Sequence, residues 1–170
     1  MAKISQKLRA LTLVAAVAGA AFLPATSAQA ATASTSILVT AAVAQACIVV
    51  ATPLAFGVYD PTSASPTDGT ATVAVTCTTG TAYTVGLSAG GGTGATTTVR
   101  KMTFGANTLD YALYQNAGRT TNWGNAVGTD TVAGTATGLL MNHTVYGRIT
   151  AGQTVPMGAY ADTVAVTVTY

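Results

Sequence analysis

Asp162-Thr163-Val164-Ala165-Val166-Thr167-Val168-Thr169-Tyr170 decides the class of this chain. Val164, Val166, Val168 and Tyr170 share one parity, and Thr163, Thr167 and Thr169 take the other with Ala165. Successive side chains of an extended chain point to opposite faces, so this segment predicts a strand with one apolar and one hydroxyl-rich face.

The same period of two recurs upstream. Thr72 to Cys77 predicts a strand with Val73, Val75 and Cys77 inward, and Ala82 to Ser88 another with Tyr83, Val85 and Leu87 inward. Further strands are expected at Cys47–Val50, Met102–Phe104, Leu109–Tyr114 and Met141–Ile149. Asp60-Pro61 and Ser65-Pro66-Thr67-Asp68-Gly69 carry turn chemistry, and Gly90 to Gly94 reads as a flexible loop. Asn116-Ala117-Gly118 and Asn122-Trp123-Gly124 mark a longer excursion. Many short strands separated by turns predict an all-β, immunoglobulin-like β-sandwich.

The first 30 residues have a separate role. Lys3, Lys7 and Arg9 precede an apolar run from Leu11 to Leu23, followed by Pro24 and Ala28-Gln29-Ala30. That order is expected of a secretory signal peptide over residues 1–30, cleaved after Ala30. The run is shorter than the roughly 20 residues that span a bilayer. No later segment is apolar for long enough, so no transmembrane segment is expected in the mature chain. After cleavage four basic residues (Arg100, Lys101, Arg119, Arg148) face five aspartates, a net charge of −1. No basic patch for nucleic acid remains. A surface this poor in charge suits a chain whose working state is an assembly. Cys47 and Cys77 form the single cysteine pair. In an exported chain the pair predicts a disulfide, closing a loop worth roughly 3 to 4 kcal/mol.

Ahead of Cys47 stands another alternating segment. Ile37, Val39, Ala41 and Val43 share one parity against Leu38, Thr40, Ala42 and Ala44. It could be the first strand of the sandwich, or a strand lent to another subunit's sheet.

Catalytic readings are poor. His143 is the single histidine, and no Gly-x-Ser-x-Gly elbow frames a nucleophile. His143 is expected to be a structural or surface residue, Asp60 and Asp68 to form turns, and the Gly90–Gly94 run to be a plain loop, since no lysine or helix follows it. Asn142-His143-Thr144 is a formal glycosylation sequon that carries little weight here. No enzyme activity, metal or cofactor is expected. The alternative from another class is a surface adhesin whose binding residues would be Tyr114, Trp123 and the loop from Asn116 to Thr129, although Trp123 could equally pack under its own loop.

Several motifs together resemble a known family. They are Cys47 followed by Phe56-Gly57-Val58-Tyr59-Asp60-Pro61, Val73 to Cys77, and Leu109-Asp110-Tyr111-Ala112-Leu113-Tyr114 leading to Trp123-Gly124. Tyr146-Gly147-Arg148-Ile149 and Gly158-Ala159-Tyr160-Ala161-Asp162-Thr163 complete the set. In this order they resemble the spore coat protein U domain, which also makes subunits of archaic chaperone–usher pili.

The resemblance implies an incomplete sandwich lacking its last strand, in keeping with the absence of a strand pattern after Tyr170. It implies residues 31–46 as an N-terminal donor segment and residues 47–170 as the domain. Ile37, Val39, Ala41 and Val43 would be the inserted side chains; Val164, Val166, Val168 and Tyr170 would border the acceptor groove. The partners implied are identical or homologous subunits, a periplasmic chaperone and an outer-membrane usher. The route implied is the periplasm, then the cell surface, as a pilus or coat. The donor segment is alanine-rich, so its grip per residue is expected to be modest.

Overall fold

The computed structural model describes residues 29–170, and the expected signal peptide lies almost wholly outside them. The chain divides into two units, Met1–Thr40 and Ala41–Tyr170. The described part of the first, residues 29–40, carries no helix or strand. Every strand among the described residues lies in the second: β1 (Cys47–Ala51), β2 (Thr67–Cys77), β3 (Ala82–Leu87), β4 (Arg100–Phe104), β5 (Asn107–Tyr114), β6 (Val132–Thr135), β7 (Met141–Ile149) and β8 (Val166–Thr169). There is no helix among the described residues, and so no helix long and apolar enough to cross a membrane.

Two antiparallel sheets face each other, in the orders β1-β2-β7-β5-β4 and β6-β3-β8. The inward parity of each strand builds the core: Val73, Val75 and Cys77 from β2, Tyr83, Val85 and Leu87 from β3, Leu109, Tyr111 and Leu113 from β5. Trp123 fills the middle at 1 % exposure, its Nε1 donating to the Val85 carbonyl at 2.9 Å. The Cys47–Cys77 disulfide forms, joining the first residue of β1 to the last of β2.

Three sequence expectations change. Ser65 to Gly69 is not a turn throughout: β2 begins at Thr67 and pairs with Ile149. Asp68 consequently caps no turn; it accepts from Arg148 Nε at 2.8 Å and lies 3.2 Å from Arg119 Nη1. These partners, Arg148 first, hold its carboxyl below the usual range. Asp60 does form the expected turn, accepting from the Thr62 amide and hydroxyl. The Asn122-Trp123-Gly124 excursion turns inward, so Trp123 is a core side chain and offers no adhesin surface. β6, Val-Ala-Gly-Thr, was too short and too glycine-marked to announce itself.

His143 is structural. Its Nε2 lies 2.9 Å from the Tyr83 hydroxyl, and its ring sits edge-on to Tyr83 and Trp123. Burial lowers its pKa below 6.5, because the charged ring is the form penalised. The folded state therefore resists protonation. The stability this provides is complete above pH 6.5 and is lost as pH falls through the folded value. Urea midpoints are expected to hold from pH 8 to 7 and to fall below pH 6.5. His143→Gln should flatten that segment, whereas Asp60 and Asp68, both lowered from 3.8, act only at more acid pH.

Candidate functional site

One side of the sandwich is open. Among the described residues β8 pairs with β3 alone and β1 with β2 alone, so each has a free edge. The two strands approach each other across the gap between the sheets. Val49 has the inward parity of β1 and sits opposite Val75, yet Val49 is 36 % exposed while Val75 is 0 %. An inward valine that water reaches means that no described residue fully covers the core at this edge.

The opening is a groove of about 560 Å³, floored by Val73, Leu87, Tyr111 and Val145 and walled by Val164 and Val166. It continues, through Leu54, Phe56, Met102 and Tyr160, into a second recess of about 700 Å³. The Phe-Gly-x-Tyr motif shapes the junction. Leu54 and Phe56 lie over Gly147, where a Cβ would come 2.8 Å from Phe56 Cζ. Phe56 then packs edge-on to Tyr111, and the Tyr59 hydroxyl accepts from the Gln153 amide at 2.7 Å. Among the described residues no backbone hydrogen bond ties Pro53 to Tyr59, so side chains hold this stretch in place.

A polar cluster borders the groove. Asp162 accepts from the Tyr111 hydroxyl and from the amides of Gly91 and Thr163, each at 2.7 Å. Burial first, then the hydrogen bond to Asp162, pushes the Tyr111 pKa far above its ordinary value, so the phenol keeps its proton and remains the donor. The glycine run at Gly90 wraps this carboxylate: a Cβ at Gly90, where φ is +86°, would fall 2.0 Å from Asp162 Oδ2. Close approach to Asp162, rather than loop flexibility, explains the glycine here. Arg100 is wholly buried beneath, donating to the carbonyls of Ser88, Thr97, Leu87 and Trp123 at 2.6–3.0 Å. Sequence reasoning missed both Arg100 and Asp162 as organisers. The Asp-Thr motif ahead of β8 was the available signal for Asp162, but a buried arginine paired with carbonyls leaves none.

The named groove residues separate. Val164, Val166 and Val168 are half-buried against the core, while Tyr170 lies beyond β8, 56 % exposed, beside Thr169 and Ala82. Ile37, Val39 and Val43 are 85 %, 86 % and 84 % exposed, and residues 29–46, Ala41 among them, carry no strand. The chemistry on offer is that of an apolar slot flanked by two unpaired strand edges. Its wants are buried side chains and ladder hydrogen bonds.

Protein U of Myxococcus xanthus is 39 % identical over 175 residues, covering 94 % of this chain and 97 % of its own. Among solved structures, a chain of the chaperone–tip adhesion subunit pre-assembly complex, CsuC–CsuE, from archaic chaperone–usher Csu pili of Acinetobacter baumannii shares the fold. There the TM-score is 0.54 at 23 % identity; the match covers 75 % of this chain but only 40 % of that one. The E. coli Hda pilus minor tip subunit, HdaB, matches at a TM-score of 0.38 and 20 % identity, over 71 % of this chain and 79 % of its own. A family model for the Spore Coat Protein U domain matches residues 33–167, from ahead of β1 into β8, and this chain belongs to that family.

Proposed function

We propose that this chain is a structural subunit of a secreted surface assembly, a pilus or coat, and not an enzyme. It polymerises by lending residues 37–43 to the open groove of the next copy. The observation that carries the reading is a mismatch within one chain. A sandwich lacks cover at one edge, while an apolar segment of strand pattern stands ahead of it without a sheet. Ile37, Val39, Ala41 and Val43 supply the parity that the slot requires, and Val164, Val166 and Val168 supply one wall. The family match begins at residue 33 and so includes the segment.

The same logic sets the partners. An uncovered core and two free edges make a lone subunit prone to associate. A periplasmic chaperone would fill the groove in transit, and an outer-membrane usher would exchange it for the next subunit's segment. Strand lending from head to tail is a heterologous contact, and such contacts propagate into fibres. The test is electron microscopy of secreted material from the unmodified chain and from Val39→Asp. Fibres are expected from the first and are expected to vanish in the second, because an unpaired carboxylate enters an apolar slot. Normal fibres from Val39→Asp would overturn the reading.

A further inference from the structure

The stretch joining the segment to the body is not free. Thr78 Oγ1 donates to the Ala44 carbonyl at 3.3 Å and accepts from the Ala46 amide at 3.2 Å, while the Thr78 amide donates to the Ala46 carbonyl at 2.9 Å. Cys47 follows at once, in β1 and bonded to Cys77. If Val43 is the last inserted side chain, the inserted strand meets the clamped stretch with no linker between. One residue spans at most about 3.6 Å, so two bodies joined in this way must touch.

The strands identify the surfaces that meet. β7 runs the length of the body, from Met141 at the Thr78 pole to Ile149 at the other. At the Thr78 pole the loop after Ala136 is tied to the turn after Thr78 by Gly80 N to Ala136 O and by Ala136 N to Thr81 O. That loop presents Leu139 and Leu140, 72 % and 61 % exposed. At the Ile149 pole the second recess opens between Val58, Pro61, Pro156 and Met157, of which Val58 is 92 % and Met157 96 % exposed. Every strand pair in both sheets is antiparallel. A strand that continues the alternation beside β8 would place its Val43 end at the start of β8, the end that Tyr160 and this recess share.

We propose that the Leu139–Leu140 loop of one copy seats in the Val58–Met157 recess of the next, making an apolar joint between consecutive subunits. The proposal rests on the strand-lending reading and adds the contact that stiffens the fibre.

The test is a cysteine pair in the full chain, Leu140→Cys with Met157→Cys, assembled and mildly oxidised. The two positions lie at opposite poles of one body, so a bond between them must join neighbours. A covalent ladder on a denaturing, non-reducing gel is expected, and either single variant should give none. Leu139→Asp with Leu140→Asp, which adds no thiol, should still form fibres but shorten their persistence length at least two-fold. Fibres that stay uncrosslinked, or that keep their stiffness with the aspartate pair, overturn the joint and leave strand lending intact. Absence of fibres from the unmodified chain overturns both.

Discussion

Removal of Ala31 to Gln45 should abolish polymers while leaving a foldable body. The eight strands of the described residues and the disulfide all lie at or beyond Cys47, so nothing in either sheet is deleted. What disappears is the proposed occupant of the groove. Burying Ile37, Val39 and Val43 contributes on the order of 1.5 to 3 kcal/mol each, and each 1.4 kcal/mol is about a tenfold change in association. Loss of all three should therefore weaken subunit association by roughly a thousandfold or more, before the ladder hydrogen bonds are counted. Size-exclusion chromatography of periplasmic extracts would show the shortened chain at the mass of a chaperone-bound subunit, with no ladder of multimers. A ladder at the ordinary level would mean that the copies associate through another surface.

The second large effect is expected inside the body. Arg100 is fully buried and is held by four carbonyls, with no carboxylate in contact. Burial lowers its pKa; Tyr111, Asp130 and Asp162 act in the opposite direction. Arg100→Met keeps much of the volume and removes every donor, stranding the carbonyls of Leu87 and Trp123 in the interior. Each stranded buried acceptor costs about 1 to 3 kcal/mol, so a loss of about 2 to 6 kcal/mol is expected, roughly a 6 to 18 °C fall in Tm for a domain of this size. Arg100→Lys should recover little, since one ammonium cannot reach four carbonyls. Thermal melts of the three chains in the same assembled state would decide. A shift under about 2 °C for Arg100→Met would show that water replaces the guanidinium and that the site is not a keystone.

The sheets were largely legible because alternation reports burial on one face. Val73, Val75, Tyr83 and Leu87 each fell inward as their parity required. The start of β2 was not, because Pro66-Thr67-Asp68-Gly69 has the composition of a turn. There, pairing with Arg148 and Gly147 overrides local propensity. Trp123 was open for a related reason: flanking asparagine and glycine suggest a surface loop, an indole can equally pack beneath one, and the Val85 carbonyl holds it there. The groove itself is a property of which edges lie side by side, and no single strand encodes that. Its residues could be named from a family pattern, yet the contrast between Val49 and Val75 is visible only in three dimensions.

The disulfide sits where the leading segment meets the body, and this has a mechanical consequence. A tensile load applied ahead of Cys47 would reach an edge strand paired on one side only, the arrangement that peels open rung by rung. The covalent bond to Cys77 instead carries the load past β1 to the end of β2, a strand that β7 pairs on its other side from Thr67 to Val75. Reduction of that bond should leave the resting shape little altered and make the chain give way under pull at a much smaller force.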